Sequence, residues 1–228
     1  MSEDMIAAVH LAKDFPLQSG WLPGIFRRRR RFVRAVDDVS FSIRKGRVLG
    51  LVGESGSGKT TTGRLVLGLI PPTSGEVSYR GRPLSSFTRD EMERLRCRVQ
   101  VIFQDPYASL SPRMSVGRAI SHPLEIHRIA RGARAREMTL TIMEKVGLTP
   151  AEFFYRKYPH QISGGQRQRV VIARALVTGP EFVVADEALA MADVSVRAMI
   201  LELMVRLKEE LDLTYLFITH DLATCKYI

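Results

Sequence analysis

The chain has 228 residues, 45% of them hydrophobic and 25% charged, and a formal net charge of +10 at neutral pH. Those proportions suit a globular protein of one domain with an inserted lobe. No run of about 18 apolar residues occurs, which excludes an ordinary membrane-spanning helix, and two isolated cysteines, Cys97 and Cys225, exclude a disulfide framework or a cysteine metal site. Met1-Ser2-Glu3-Asp4 lacks the basic start and apolar stretch of a signal peptide, so a cytosolic location is expected.

Residues 7–11 and 35–43 carry strand-like patterns on either side of Arg27-Arg28-Arg29-Arg30-Arg31. Those arginines account for much of the charge and lie in a stretch containing Gly and Pro, which reads as a solvated surface loop. Nucleic acid or anionic lipid is the alternative contact, but no stacking aromatics interleave the basic run.

Residues 47–52 read as a buried strand, and 61–69 as a helix with Leu65, Val66 and Leu69 on its apolar side. Between them lies Gly53-Glu54-Ser55-Gly56-Ser57-Gly58-Lys59-Thr60, a phosphate-binding loop in its proper strand–loop–helix setting. The glycines let backbone N–H groups turn inward and cradle a phosphate at the positive end of the helix. Lys59 would reach the β- and γ-phosphates and the Thr60 hydroxyl would hold Mg²⁺. Gly53, Ser55, Gly56, Gly58, Lys59, Thr60 and the adjoining Thr61 are therefore the candidate contacts to a nucleoside triphosphate.

A turn at 71–75 leads to a strand at 76–79, completing a small β-lobe over the nucleotide. Residues 98–103 form another candidate strand, ending in Gln104 and the turn Asp105-Pro106. The stretch 115–158 is mostly helical in pattern, with 133–146 its longest amphipathic segment, and suggests a helical subdomain over roughly 105–165. Beyond it, a helix at 164–177, an apolar strand at 182–185, an amphipathic helix at 194–211 and a strand at 215–219 alternate. This order predicts an α/β fold: a mainly parallel sheet with helices on both faces and its site beyond the carboxyl ends of the strands. The phosphate loop, Asp186 and His220 all fall at such ends.

The strand at 182–185 delivers two carboxylates, Asp186 and Glu187. Downstream of a phosphate loop, the first supports Mg²⁺ and the second is positioned to polarise an attacking water. Gln104 could contact Mg²⁺ and sense the γ-phosphate, or be satisfied within its own turn. His220 could hydrogen-bond the γ-phosphate, or be structural. In Ile162-Ser163-Gly164-Gly165-Gln166, Ser163 is a candidate N-cap and the two glycines expose N–H groups at a helix start, forming a second anion site without a lysine. A cap explains Ser163 and one glycine, but not the pair followed by Gln166-Arg167-Gln168-Arg169.

Over residues 15–223 the sequence resembles the nucleotide-binding subunits of ATP-binding-cassette (ABC) transporters. Gly53 to Thr60 resembles the Walker A motif, Gln104 the Q-loop, Ile162 to Gln166 the signature with Ile in place of Leu, Asp186-Glu187 the end of Walker B, and His220 the switch histidine. The resemblance implies a phosphate-loop NTPase core with an antiparallel β-lobe and a helical subdomain, forming a single nucleotide-binding domain over 1–228. It implies ATP and Mg²⁺ as ligands, with Glu187, His220 and Gln104 catalytic and with Thr60, Gln104 and Asp186 at the metal. A second cassette, in a homo- or heterodimer, would face the first head-to-tail. Ser163, Gly164, Gly165 and Gln166 would then bind the γ-phosphate held by the other chain, and Asp193 would lie in the segment crossing the interface. By family position Phe15 would stack on adenine, although the residues alone leave it equally as a core side chain.

Within the family, Phe103-Gln104-Asp105-Pro106-Tyr107 and Tyr158-Pro159-His160-Gln161 look most like the dipeptide, oligopeptide and nickel importers. That implies an ATPase at the cytoplasmic face of the membrane, working with permease subunits and, indirectly, a substrate-binding protein. Nucleic acid is not an expected partner, and peptide is the preferred cargo. Two departures stand out. Ala188-Leu189-Ala190-Met191-Ala192-Asp193 lacks the family's Pro and interfacial Ser, and the sequence ends eight residues after His220. The second feature predicts a C-terminally incomplete cassette whose 215–219 strand lacks neighbours or cover. A nucleic-acid- or ribosome-associated ATPase and a nucleotide binder with impaired hydrolysis are the competing readings.

Overall fold

The computed structural model describes residues 4–17, 32–189 and 194–228. The arginine run and Asp193 lie outside the described residues. In chain order, β1 (Asp4–Pro16), β2 (Phe32–Arg44) and β3 (Val48–Val52) precede α1 (Lys59–Val66). β4 (Ser74–Tyr79), β5 (Arg82–Pro83), α2 (Arg89–Arg98) and β6 (Val99–Ile102) follow. Four helices come next, α3 (Pro106–Ser109), α4 (Val116–Ile126), α5 (Gly132–Lys145) and α6 (Ala151–Tyr155). The chain continues through α7 (Gly164–Leu176), β7 (Phe182–Asp186), α8 (Val194–Glu210), β8 (Thr214–Thr219) and α9 (Leu222–Tyr227).

Two four-stranded sheets result. One is antiparallel in the order β2-β1-β4-β5; the other is parallel in the order β3-β8-β7-β6. The inner strands of the parallel sheet are apolar along nearly their whole length because both their faces are covered. Val183, Ala185, Tyr215 and Phe217 enter a core shared with α4, α5, α7 and α8. Phe182, Val184, Leu216 and Ile218 enter a second core shared with α1, α2 and the antiparallel sheet. Helices thus lie on both faces as expected, and on the second face the β-lobe covers the sheet alongside α1 and α2.

Three details differ from the sequence-based expectation. β8 does not want for neighbours: it is inserted between β3 and β7, and every residue of it is buried. Order along the chain is not order in the sheet, so the last strand is a central one. β3 is only half-buried, because it has a single strand partner in this sheet. Leu69 is 49% exposed rather than on the apolar side of α1. The helix stops earlier because Gly68 takes φ +64, with Leu67, Gly68 and Leu69 N–H groups closing back on Gly63, Leu65 and Arg64 carbonyls.

Two helices, α2 and α9, have no counterpart in the sequence-based expectation. α2 is polar, so it gives little apolar periodicity, but it begins with a complete capping box in which Thr88 and Glu91 exchange hydrogen bonds. Arg82 and Thr88 hold the Glu91 carboxyl down at about 2.

Candidate nucleotide site

The phosphate loop leaves the carboxyl end of β3 and enters α1 through two left-handed glycines, Gly56 at φ +82 and Gly58 at φ +90. Gly58 is also required by space, since a Cβ there would lie 2.1 Å from the Ala35 carbonyl oxygen. The loop is thus wedged beneath β2, while Ser55 and Gly56 at its crest are exposed. Lys59 is only 6% exposed, and its Nζ donates to the Gly53 and Glu54 carbonyls at 2.8 and 2.7 Å. Its ammonium is held over its own loop, 4.0 Å from Glu187 Oε1.

The Thr60 hydroxyl donates to Asp186 Oδ1 at 3.1 Å. Burial pushes the Asp186 carboxyl above its ordinary range, opposed by the Thr60 hydrogen bond and raised further by Glu187. A hydroxyl beside a half-buried carboxylate is a hard oxygen pair suited to Mg²⁺, which takes one or two carboxylates together with substrate phosphates. Among the described residues no cluster of three His, Cys, Asp or Glu forms a self-sufficient metal cage. The Thr60 hydroxyl and the Asp186 carboxylate together fit a cation that takes further ligands from a phosphate.

Glu187 is where the site converges. Its φ is +47, a left-handed conformation that side chains other than Gly, Asn and Asp adopt at a cost. Its own N–H donates to the Ile218 carbonyl at 2.9 Å, tying the turn to β8. Gln104 donates through Nε2 to Glu187 Oε2 at 3.1 Å, and His220 Nδ1 lies 3.7 Å from the same oxygen. Lys59, Thr60, Gln104, Asp186, Glu187 and His220, taken from four segments, thus form one polar cluster. Thr60, Gln104 and Asp186 also line a cavity of about 650 Å³ that runs back between α1 and α7 to Arg64 and Arg174.

The second glycine pair stands elsewhere. Ser163 caps α7: its hydroxyl accepts from Gln166 N at 3.2 Å, and Gln166 Oε1 accepts from Ser163 N at 2.9 Å. Ser163 and Gly164 are exposed, and with Gly165 and Gln166 they line a separate cavity of about 350 Å³ beside Tyr107. Phe15, at the end of β1, is 39% exposed with the Lys13 ammonium 5.3 Å from its ring centre, so it is not a core side chain. Gln168 stands in the run after the glycine pair without a role assigned to it from the sequence. It is 4% exposed, and its Nε2 donates to the Ala188 carbonyl at 2.6 Å. An amide on the apolar side of an amphipathic helix is the signal that could have found it.

Comparison with known proteins narrows what this arrangement is. The family model described as ABC transporter matches residues 36–190. The chain is 42% identical over 227 residues to the oligopeptide transport ATP-binding protein AppF of Bacillus subtilis (strain 168), covering 99% of this chain and 67% of that protein. It is 45% identical over 226 residues to the glutathione import ATP-binding protein GsiA of Salmonella paratyphi A, covering 99% of this chain but 35% of that one. The chain thus spans about a third of the glutathione relative. Among solved structures, the dimeric post-hydrolysis state of the ATP-binding cassette MJ0796 bound to ADP and Pi aligns with a TM-score of 0.80 at 28% identity, covering 98% of this chain and 91% of that one.

Proposed function

Because this chain belongs to the ABC transporter family, whose model matches its residues 36–190, we propose that it binds and hydrolyses ATP to power an importer of di- or oligopeptides. The observation that carries the reading is the convergence of Lys59, Gln104 and His220 on the Glu187 carboxylate. A carboxylate held between a phosphate-binding lysine and two polar orienting groups is arranged to take a proton from water attacking the γ-phosphorus.

In this mechanism Lys59 exchanges the Gly53 and Glu54 carbonyls for the β- and γ-phosphates, and the loop N–H groups bind the same oxygens. Thr60 and Asp186 would hold Mg²⁺, which would supply positive charge against the phosphates. Glu187 accepts the proton of the attacking water as the terminal phosphate parts from ADP. Gln104 fixes the Glu187 carboxylate from one side and His220 lies on the other. Phe15 offers an exposed ring to adenine; stacking of this kind is worth about 1–3 kcal/mol per base in single-stranded nucleic-acid complexes.

Within one chain, Ser163 and Gly164 open onto a different cavity from Thr60 and Asp186. That separation favours closure in trans, with α7 of a second cassette presenting its N-terminus to the γ-phosphate. The dimeric ADP- and Pi-bound MJ0796 cassette supports such an assembly. We assign residues 1–228 to one nucleotide-binding domain with a helical subdomain near 105–165, and Asp193 to the interface. Among the described residues no helix is long and apolar enough to cross a membrane. Permease subunits are the proposed attachment at the cytoplasmic face. A relative named for glutathione import makes that tripeptide the second cargo candidate.

The test is ATP turnover by the full protein with and without its co-expressed permease subunits. Turnover that rises in the complex, and rises again with peptide and binding protein, supports the reading. Turnover indifferent to the permease and responsive to RNA would replace it with the nucleic-acid class.

A further inference from the structure

Gln168 occupies a position that the phosphate chemistry does not explain. It is one of few buried polar side chains among the described residues. A buried amide is costly unless hydrogen-bonded, and its donor goes to the carbonyl of Ala188, the residue directly after Glu187. The Glu187–Ala188 turn is therefore held from two elements: β8 takes the Glu187 N–H, and α7 takes the Ala188 carbonyl. Those anchors flank the left-handed φ of Glu187, a conformation that persists only where its surroundings over-determine it.

The N-terminal end of α7 carries Ser163, Gly164 and Gly165. Gln168 sits just over one turn from them and, with Ala188, lines the same cavity of about 350 Å³. Gly165 packs closely on α8, where an added Cβ would lie 3.1 Å from Val196 Cγ1. A shift of the α7 N-terminus is consequently passed along a rigid helix to Gln168, and through its short hydrogen bond to the backbone that aims Glu187.

We infer that Gln168 is a positioning residue that transmits the state of the α7 N-terminus to the Glu187 carboxylate of the same chain. This rests on the proposed trans arrangement. In a head-to-tail dimer, α7 touches one nucleotide while Glu187 acts on the other, so the Gln168–Ala188 bond links the two sites. Its role is in turnover, with no part in nucleotide affinity.

The experiment is steady-state ATP hydrolysis by the full protein carrying Gln168→Met, which keeps the length and volume but removes the donor. Gln168→Glu, which keeps the shape but sets a carboxylate against a carbonyl, is the second variant. Ile172→Val, which trims a buried side chain one turn further along the same helix and leaves both partners of the bond in place, is the control. Both Gln168 variants should lose about tenfold or more in kcat with KM within about twofold, while Ile172→Val keeps the parent kcat. A Gln168→Met kcat within about twofold of the parent overturns the inference. So does a kcat loss in Ile172→Val equal to that of Gln168→Met, because helix stability would then explain both. Loss of ATP binding together with kcat also overturns it, since the side chain would then be holding the fold. Glu187→Gln run in parallel separates the two levels: parent-like turnover there sinks the functional reading, whereas a dead Glu187→Gln beside a normal Gln168→Met sinks only the coupling.

Discussion

Replacing Glu187 with Gln is the perturbation that most directly tests the site. The substitution keeps the side-chain length, leaves the φ of +47 no more strained than before, and retains an oxygen to accept the Gln104 N–H. It removes the negative charge and the proton acceptor. The Lys59 ammonium lies 4.0 Å from that carboxylate with both groups largely out of solvent. At an effective dielectric constant of about 20, this separation corresponds to a gross attraction of about 4 kcal/mol. That attraction, along with two carbonyl hydrogen bonds, is what ATP must displace from Lys59. Removing it should leave nucleotide affinity equal to the parent's or tighter, whereas turnover falls by about 10²-fold or more for loss of a general base. Trapped ATP should then hold two cassettes together, seen as an ATP-dependent monomer-to-dimer shift in sedimentation, and Ser163→Arg in the same background should abolish the shift by blocking α7. A Glu187→Gln protein that hydrolyses ATP at the parent rate would refute the assignment, because no other change preserves the geometry so well while deleting the base.

Lys59→Ala should abolish tight ATP binding in equilibrium titration, and affinity within error of the parent would remove Lys59 from the phosphate site. Asp186→Asn should raise the thermal midpoint at neutral pH while eliminating Mg²⁺-dependent turnover, and a lowered midpoint would refute the burial argument. The sign follows from burial: the Asp186 carboxyl titrates above its unfolded value, so the stability present at low pH is lost as pH rises through the folded pKa, and the amide escapes that loss. Tyr215→Phe should be neutral or stabilising by about 1 kcal/mol in denaturant titration, because the Tyr215 hydroxyl is buried with no hydrogen-bond partner among the described residues. A destabilisation beyond about 1 kcal/mol would mean that the hydroxyl has a partner.

The site is legible in the sequence where local chemistry fixes the residue type. Gly58 must be glycine for both φ and space, and Ser163 and Gln166 form a reciprocal cap. An apolar strand running into Asp186 and Glu187 sets two carboxylates at the carboxyl end of the sheet, where burial alone would not put them. Spatial order is what the sequence does not carry. β8 reads as a strand at risk of exposure because little sequence follows it, whereas its partners β3 and β7 both precede it, and pairing across long separations leaves no periodic trace. α2 escapes for the opposite reason: its structure is set by the Thr88–Glu91 cap and the Arg82 ion pair instead of by a buried face. Phe15 stays ambiguous until its exposure is seen, since an aromatic at a strand end suits a core or a ligand equally. Gln168 is marked in the sequence only as an amide on an apolar helix face; its partner, the Ala188 carbonyl, is 20 residues away and leaves no local sign.

The geometry of the chemistry is in the end a consequence of strand register. Val52 pairs with Thr219, and Asp186 with Ile218, so the phosphate loop, His220 and Glu187 all leave the sheet at one level. Ile102 pairs with Ala185, which places Gln104, two residues on, level with Glu187. That register is enforced by the core. Tyr215 and Phe217 must face α7 and α8 while Leu216 and Ile218 face α1 and the β-lobe, and a slip of one residue would exchange the two sets. Such a slip would also carry His220 away from Glu187 by about 3.3 Å, the rise per residue of a parallel strand. The apolar residues of β7 and β8, none of which touches a nucleotide in the proposed mechanism, therefore set the distances on which that mechanism depends. Substitutions that loosen their packing should impair turnover before they abolish the fold.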